Sequence, residues 1–586
     1  MPELESGFRL GEFEVRPIEG MIVSADGESR IEPKAMAVLL ELARHGGELR
    51  SREQIQQVVW PRGFTTDDVL TRCIGQIRKA LGDDPKEPRY LETLPRRGYR
   101  LLQQVTDITA ARLVPAPART ERADKLIVLP FQYLASDEHD YIADGITELL
   151  IARLARLQGI TVLSRTTSMH FRNSTDPLGS VAELTGARWV VEGSVLQSGN
   201  RLQIVVQLID ARTDAHLWAD DYVRDLSDVL VLQNDIAQKV AAAIRTQLGA
   251  SESTRSAAAV LDADAMRGYL RGRQLLSLRS VEALREAVVR FTRVCEVAPD
   301  YAPALASRAE ARFMLGHYGA EPAAAMFDAC SRDLEHALAL DPDLAIALTC
   351  RGALAFGAEL DFQRAESDLL RALQLMPAYS IGMVALANVY AVQQRFGEAM
   401  TWLERAVLVD PLDIGISMNV GDHYLLQRNF TDALTALDKA LDLDADHRPS
   451  LLRRSWALSL AGETAAASSA LHEIGPRGEG DSQWLEYAAL VTGAAGSASE
   501  AREHYAQLER ISRSSYVSPW SLARAAAGAG EVEEGMRWLR EAKLARSTSF
   551  PFARVTPALD VLRKHPEFEK VVASPIRHLP EQSHDP

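Results

Sequence analysis

Residues 66–81, TDDVLTRCIGQIRKAL, combine side chains that can read a nucleic-acid base with the spacing of a single helix face. Four apolar residues recur at helical intervals and predict a buried face: Leu70, Ile74, Ile77 and Leu81. Arg72, Gln76 and Lys79 fall together on the other face. An arginine can bond a guanine edge with two hydrogen bonds and a glutamine can do so with adenine, whereas a lysine suits phosphate. A solvated helix carries the same residue types, so the stripe alone leaves both interpretations open.

A basic turn follows in residues 90–102, YLETLPRRGYRLL. Two runs of alternating apolar residues flank the stretch from Pro95 to Gly98, which predicts a β-hairpin. Arg96 and Arg97 lie at its tip. A basic pair at this position suits phosphate contact, and it is also ordinary for a solvated turn.

The flanking sequence supplies the elements that would position this helix and this hairpin. FRLGEFEV, near the start of the chain, alternates apolar residues as a strand does. A helical pattern begins at Pro33 and stops at Gly46-Gly47, and a second begins after Ser51, which is a suitable N-cap. Strands, three helices and a C-terminal hairpin over residues 7–105 predict a winged helix-turn-helix.

This unit resembles the OmpR/PhoB-type winged helix, in particular its ToxR/CadC-like branch, over nearly all of residues 7–105. The matching residues are Val59-Trp60, Thr66-Asp67-Asp68-Val69-Leu70, Ile77-Arg78-Lys79-Ala80-Leu81-Gly82-Asp83, Leu91-Glu92-Thr93 and Arg97-Gly98-Tyr99-Arg100-Leu101. In that family the third helix enters the major groove of double-stranded DNA, and the hairpin, or wing, reaches phosphates or the minor groove. By position, the resemblance implies helix contacts from Arg72, Gly75, Gln76 and Arg78.

The resemblance also implies a phosphate contact from Thr93 in the wing, residues 90–102. The family often has an arginine two residues after this threonine, where the chain has Pro95. The two arginines come one and two places later, which favours phosphate contact over insertion into the minor groove. The predicted DNA-binding residues are therefore Arg72, Gly75, Gln76, Arg78, Lys79, Thr93, Arg96 and Arg97.

Two small residues of the third helix have competing explanations. Gly75 costs a helix interior up to about 1 kcal/mol relative to alanine. It either permits close approach to DNA or is a tolerated small residue, and the second explanation is favoured. Cys73 could act as a redox sensor, but no resolving partner is evident in the sequence, so a packed thiol is predicted.

Composition limits the class of protein. A chain of 586 residues is too long for one core, and its net charge of −15 excludes a protein that is basic throughout. Residues 50–100 nevertheless hold eleven Lys and Arg against seven Asp and Glu, the local basic patch that a small DNA-binding domain needs. The four cysteines form no CxxC motif, which predicts reduced, mostly buried thiols without a zinc site or disulfides. No signal peptide and no long apolar run is evident, which predicts a soluble cytoplasmic protein.

The middle of the chain changes character twice. Residues 106–124 are rich in Pro, Ala and Arg and predict a linker. Residues 125–248 alternate strand and helix patterns, which predicts a small α/β domain. This segment resembles a TolB-like domain at Leu129-Pro130-Phe131, Ile142-Ala143-Asp144-Gly145-Ile146, Val191-Glu192-Gly193-Ser194-Val195, Leu217-Trp218 and Tyr222. The resemblance implies a binding or assembly role.

Asp144 and Glu148 share a helix face, and a solvated carboxylate pair is expected there. No catalytic, cofactor or metal motif is found, so no enzyme is predicted.

Residues 260–575 are almost all helical in pattern and repeat with a period of 34 residues. The residues that keep this period are Phe362, Phe396 and Phe430; Phe356, Tyr390 and Tyr424; Ala365, Ala399 and Ala433; and Ala372, Ala406 and Ala440. This is the tetratricopeptide pattern, and it predicts roughly eight helix pairs stacked into a superhelix with a concave groove. Such a groove binds a peptide or helix, or supports self-association, while the aromatic residues of the repeat pack internally.

The predicted fold is multidomain and mainly α: an N-terminal winged helix-turn-helix, a central small α/β domain and a C-terminal tetratricopeptide superhelix. The predicted function is a one-component transcriptional regulator that binds operator DNA. The α/β domain and the repeats would then sense a signal, form a homodimer or bind a protein partner. The alternative is a signalling scaffold whose winged helix docks protein rather than DNA.

Overall fold

The computed structural model describes residues 8–107, 125–248 and 261–573, with gaps at 12, 18–20, 25–26, 46, 48, 60–66, 85–87, 95–96, 104, 136–138, 156–159, 173, 175, 320, 322 and 479. The chain divides into two compact units, Met1–Thr120 and Glu121–Pro586. Each unit has its own hydrophobic core. In the described ranges, no helix has the length and apolar character needed to span a bilayer.

The first unit combines two small sheets with three helices. Its strands are β1 (Phe8–Leu10), β2 (Phe13–Arg16), β3 (Met21–Ser24), β4 (Gly27–Arg30), β5 (Leu49–Arg50), β6 (Leu91–Leu94), β7 (Gly98–Leu101) and β8 (Val105–Asp107). Its helices are α1 (Pro33–Arg44), α2 (Arg52–Val59) and α3 (Asp67–Leu81). One sheet has the order β4-β3-β2-β1-β8 and the other β5-β7-β6. Three helices, a second sheet and a C-terminal hairpin confirm the predicted winged helix.

Local chemistry explains where the first two helices begin. Pro33 occupies the first turn of α1, where a missing backbone N–H costs nothing. Ser51 precedes α2, and its hydroxyl accepts a hydrogen bond from the backbone N–H of Gln54 at 3.2 Å, as an N-cap does. The sequence did not predict the length of the N-terminal sheet, whose last strand, β8, runs into the stretch expected to be linker. Residues 108–124 of that stretch, and Arg96 of the predicted site, lie outside the described residues.

The second unit begins with a mixed sheet and four helices. The strands are β9 (Lys125–Val128), β10 (Gln132–Tyr133), β11 (Thr161–Val162), β12 (Ala187–Ser198), β13 (Arg201–Asp210) and β14 (Ala215–Asp225). The helices are α4 (Asp140–Leu154), α5 (Arg165–His170), α6 (Leu178–Thr185) and α7 (Val229–Leu248). The sheet order is β11-β9-β12-β13-β14, parallel at β11-β9-β12 and antiparallel beyond. The long strands β12, β13 and β14 follow one another directly in the chain and pair in that order.

The rest of the second unit consists of helix pairs. They are α8 (Ala263–Ser277) and α9 (Val281–Val297); α10 (Ala302–His317) and α11 (Ala323–Leu340); α12 (Ala345–Leu354) and α13 (Phe362–Leu375); α14 (Ser380–Val392) and α15 (Phe396–Val409); α16 (Ile414–Leu426) and α17 (Phe430–Leu443); α18 (Arg448–Leu460) and α19 (Thr464–Ile474); α20 (Ser482–Ala494) and α21 (Ala498–Ser512); and α22 (Pro519–Gly528) and α23 (Val532–Leu544). Three 3₁₀ turns, Phe550–Arg554, Pro557–Leu559 and Leu562–Lys564, and α24 (Phe568–Ala573) follow.

The 34-residue period corresponds to this helix pairing. The repeated phenylalanine is the first residue of α13, α15 and α17. The repeated alanines, such as Ala365 and Ala399, are fully buried, because only a small side chain lets two helices approach closely. Eight pairs in the described part of the chain, with this packing, confirm the predicted helical repeats that resemble tetratricopeptide proteins.

The sheet part and the repeats pack together within the second unit. Thr167 at the start of α5 donates its hydroxyl to the Asp410 carboxylate after α15 at 2.7 Å, and its backbone N–H donates to the same oxygen at 3.1 Å. Asp410 is 2% exposed, and burial raises the pKa of its carboxyl. One continuous cluster of buried apolar side chains extends from Leu126 in β9, in the sheet part, to Met376 after α13, in the repeats.

The expectation that Asp144 and Glu148 form a solvated pair is wrong. Asp144 is 3% exposed, pairs with Arg172 and accepts a hydrogen bond from the Gln274 side chain at 3.1 Å. Glu148 accepts a hydrogen bond from Arg273 Nε at 2.9 Å. Both carboxylates on α4 therefore bind side chains of α8, the first helix of the repeats, or of the sheet part itself.

All four cysteines are buried, which agrees with the prediction that they are mostly buried. Cys73 is 4% exposed, and burial raises the pKa of its thiol, so the packed-thiol interpretation is confirmed. Cys330 and Cys350, on adjacent helices, lie with their sulfur atoms 3.9 Å apart, a contact that the residue spacing did not predict.

Candidate functional site

Helix α3 is strongly two-sided. Its four predicted core residues are at most 2% exposed and pack in the core of the first unit. Arg72, Gly75 and Lys79 are exposed on the opposite face. The buried face anchors the helix in the core. The opposite face therefore presents a guanidinium and an ammonium group to solvent in a fixed orientation.

Gln76 lies at the edge of this exposed face and is already engaged. Its side-chain oxygen accepts a hydrogen bond from the backbone N–H of Glu32, which precedes α1, at 3.3 Å. A paired contact with adenine uses both the oxygen and the nitrogen of a glutamine amide. Gln76 would have to give up the bond to Glu32 to make it, whereas a single contact through the amide nitrogen requires no change.

Arg78 faces the wing rather than solvent. Its side chain is 14% exposed, and its Nη2 donates to the Thr93 hydroxyl and to the Leu91 carbonyl oxygen, each at 2.9 Å. Two predicted DNA-binding residues, Arg78 and Thr93, therefore bond to each other. This contact ties α3 to β6 and fixes the distance between the helix and the wing.

Asp83 belongs to the stretch that matches the family, but it was not among the predicted DNA-binding residues. Its carboxylate accepts hydrogen bonds from three consecutive backbone N–H groups at the start of the wing, at 2.7, 3.0 and 3.0 Å, those of Arg89, Tyr90 and Leu91. The same carboxylate lies 3.9 Å from Arg78 Nε. Asp83 is 7% exposed, so these bonds are shielded from water. The signal in the sequence is an Asp directly after Leu81-Gly82, at the end of a helix, where a carboxylate often accepts hydrogen bonds from nearby backbone N–H groups.

Arg97 and Gly98 begin the second half of the wing. The backbone N–H of Arg97 donates to the Leu94 carbonyl oxygen at 3.0 Å, and the Arg97 side chain is exposed. Gly98 has a φ of +136°, and an added Cβ would lie 2.0 Å from the carbonyl oxygen of Arg50 in β5. Glycine is therefore required at this position, both by its backbone conformation and by the close packing of β7 on β5.

Gly75 gives the opposite result. A Cβ added there would meet no atom of the protein within 4 Å. The chain itself does not require glycine at this exposed position, and both explanations of Gly75 remain open.

The repeats contain a cavity of about 570 Å³. It is lined by the first helices of consecutive pairs, from α14 to α22, with aromatic side chains at Trp456, Tyr487 and Trp520. Arg524 lies over the rings of Trp456 and Tyr487, 5.1 and 5.2 Å from their centroids. These aromatic residues are not in the 34-residue columns, which is why the sequence pattern did not identify them.

The comparisons with known proteins divide along the chain. Residues 26–101 match the family described as transcriptional regulatory protein, C terminal. Residues 122–239 match the second domain of HilA/YgeH-like transcriptional regulators. The first match contains α3 and the wing, and the second covers the mixed sheet.

Three relatives are similar over different lengths. The Salmonella typhimurium transcriptional regulator HilA is 23% identical over 75% of this chain and 71% of its own length. The Escherichia coli transcriptional activator CadC is 37% identical over 17% of this chain and 19% of its own. A Rhizobium meliloti protein whose name describes an adenylate cyclase is 34% identical over 33% of each chain. The chain therefore spans only a third or less of two of these relatives.

Proposed function

We propose that the protein is a one-component transcriptional regulator that binds double-stranded DNA through residues 7–105. Helix 66–81 would enter the major groove, and the wing 90–102 would lie on phosphates. The observation that carries the proposal is the exposed face of α3 with Arg72 and Lys79, held at a fixed distance from the wing by the Arg78–Thr93 bond. The regulator family matched over residues 26–101, and HilA and CadC as relatives, support it.

The predicted DNA-binding residues divide into two proposed roles. Arg72, Gly75, Gln76 and Lys79 would face bases or the adjoining phosphates. Thr93, Arg96 and Arg97 would contact phosphates from the wing. Arg78 is largely covered and donates through Nη2 to two acceptors of the wing, so we assign it the positioning of the wing as its main task.

The second unit supplies the regulatory input in this proposal. Its repeats would bind a protein or peptide in the cavity lined by α14 to α22, and homodimerisation is a further role proposed for them. We further propose that residues 125–248 form a TolB-like domain. A linker, residues 106–124, would precede it, and the repeat region, residues 260–575, would follow it. A non-enzymatic role is favoured by two relatives named as regulators. A regulator must share a compartment with the chromosome, so a cytoplasmic location belongs to the proposal.

Arg72→Ala is expected to weaken binding to the operator by about 1–3 kcal/mol, a loss of about five- to 150-fold in affinity, because the exposed guanidinium would bond a base edge. An electrophoretic shift assay on genomic fragments measures this with the full chain. Arg201→Ala is the matched control, since Arg201 is an exposed arginine in β13 of the other unit. Equal affinities for both variants would contradict base reading by α3. The absence of any salt-dependent binding by the unchanged chain would favour the scaffold alternative.

Arg97→Ala is expected to lower the slope of log affinity against log salt concentration by about one unit, because one phosphate contact displaces about one counterion. Affinity should fall for all sequences to a similar extent, since phosphate carries no sequence information. Titrations at several salt concentrations on operator and unrelated DNA provide the measurement. An unchanged slope would remove Arg97 from the interface.

A further inference from the structure

The cavity of the repeats is bounded on one side by the chain's own C-terminal part. Residues 546–563, which we call the closing segment, follow the last helix pair and run past helices from the middle of the repeat array. Ser549, Phe552, Thr556 and Pro557 line the cavity together with α14, α16 and α18.

At least five contacts join the closing segment to earlier repeats, between α10 and the end of α16. Arg546 Nη1 pairs with Asp328 of α11 at 2.7 Å. Arg428, after α16, pairs through Nη2 with Asp560 at 2.7 Å and donates through Nη1 to the Val555 carbonyl oxygen at 3.2 Å. The Phe552 ring meets the Phe356 ring edge to face, with centroids 5.7 Å apart. Thr548 bonds to His317, the last residue of α10.

The two sides of the closing segment are attached differently. On one side its buried apolar residues, Phe550, Leu559 and Leu562, pack in one cluster with Trp520 and Leu539 of the last helix pair. On the other side, the contacts to the earlier repeats are two ion pairs, the Phe552–Phe356 ring contact, hydrogen bonds, and the small side chain of Ala558, which packs in a cluster with Leu425 and Trp456. Each ion pair has at least one exposed member, although Arg546 itself is 11% exposed. The side chains of Arg428 and Asp560 are 42% and 49% exposed, and that of Asp328 is 57% exposed. Water and salt screen such pairs, and only one small side chain is fully packed on this second side, so we expect it to be the weaker attachment.

We propose that the closing segment is an internal lid on the partner-binding groove, and that a polypeptide partner gains access when the lid separates from α11, α12 and α16. This inference rests on the proposed partner-binding role of the repeats. The lid keeps its apolar attachment to the last helix pair, so it opens without unfolding that pair. The aromatic and apolar surface around Phe356 and Phe552, covered in the closed state, is then offered to a partner with an apolar or aromatic segment.

Opening can be measured with a reporter thiol in the lid. In the full chain carrying Thr548→Cys, the rate of maleimide labelling reports separation of the lid, because the four native cysteines are buried. Adding Asp328→Ala and Arg428→Ala removes both ion pairs to the earlier repeats, and labelling should become about three- to tenfold faster. Added salt should accelerate labelling of the parent reporter and have less effect on this opened variant.

Glu569→Ala is the matched control. It breaks the Arg554–Glu569 pair, whose side chains are 45% and 71% exposed and which lies wholly within the C-terminal part. Its labelling rate should equal that of the parent reporter. Circular dichroism identifies any variant that has lost its fold.

A reversible lock tests whether the lid covers the groove. A Cβ added at Gly357 would lie 3.0 Å from the Cβ of Thr548, so a small shift brings Gly357→Cys and Thr548→Cys within disulfide range. Oxidised glutathione accepts the two electrons and two protons released by the two thiols and leaves as two molecules of glutathione. The oxidised protein should bind less of the apolar dye bis-ANS than the same protein after reduction.

Equal labelling of the opened variant and the parent reporter, or equal dye binding by the oxidised and reduced lock, would overturn the lid. An electrophoretic shift assay on the same variants keeps the two proposals apart. Retained DNA binding with an unresponsive lid refutes the lid alone. A responsive lid in a chain that binds no DNA refutes the regulator and leaves the lid standing.

Discussion

Asp83→Ala should lower the stability of the first unit by about 3–5 kcal/mol, the range found when one partner of a buried charged contact is removed. Three backbone N–H groups at the start of the wing lose their acceptor, and Arg78 loses its counterion. Hydrogen–deuterium exchange of the full chain should become faster at residues 89–101. DNA binding should fall with it, since the wing would no longer be held at its distance from α3.

Glu92→Ala is the control within the same wing. Glu92 accepts a hydrogen bond from Arg100 Nε at 2.9 Å across the hairpin, but the two side chains are 31% and 40% exposed. Such a pair contributes about 0–1 kcal/mol. If both variants exchanged at the same rate over residues 89–101, the Asp83 carboxylate would not be what anchors the wing.

The second large effect is expected from Arg273→Leu, which should destabilise the second unit by about 3–5 kcal/mol. The Arg273 side chain is 16% exposed and pairs with Glu148 of α4 and with Glu310 of α10, 3.4 Å away. Leucine fills a similar space but leaves two poorly solvated carboxylates without this cation. Thermal or urea unfolding of the full chain measures the loss, and DNA binding near room temperature should persist as long as the first unit stays folded.

Arg267→Leu is the matched control, because it makes the same substitution at another arginine of α8. Arg267 pairs with Asp264, whose side chain is 88% exposed, and donates to the side-chain oxygen of Asn200, which is also exposed, at 3.1 Å, so water replaces both lost contacts. The expected change is about 0–1 kcal/mol. Similar losses for the two arginines would mean that the Glu148 contact does not join the sheet part to the repeats.

The sequence predicted well those features that depend on the spacing of residues within one helix or one repeat. The buried stripe of α3 follows from four apolar residues in sixteen positions. The repeated phenylalanines and alanines mark helix starts and helix crossings because each repeat packs mainly on its neighbours.

The features that were missed depend on partners far apart in the chain. Arg78 meets Thr93 across 15 positions, and both had been assigned to DNA. Asp144 meets Gln274 across 130 positions, so its burial could not be inferred from its own helix. An arginine or carboxylate on a helix face looks the same in sequence whether water or another element covers it.

The hydrogen bonds between Thr167 and Asp410, and the single core that runs from Leu126 to Met376, bear on how such proteins can be recombined. We expect the sheet part and the helix pairs to unfold together, since separating them would expose apolar surface and leave the buried Asp410 carboxylate without its partner. A chimaera that grafts only residues 125–248 or only the repeats onto another DNA-binding module would carry that defect. The natural unit of exchange is the whole of residues 121–586, and a new specificity for DNA is most simply acquired by replacing what precedes it.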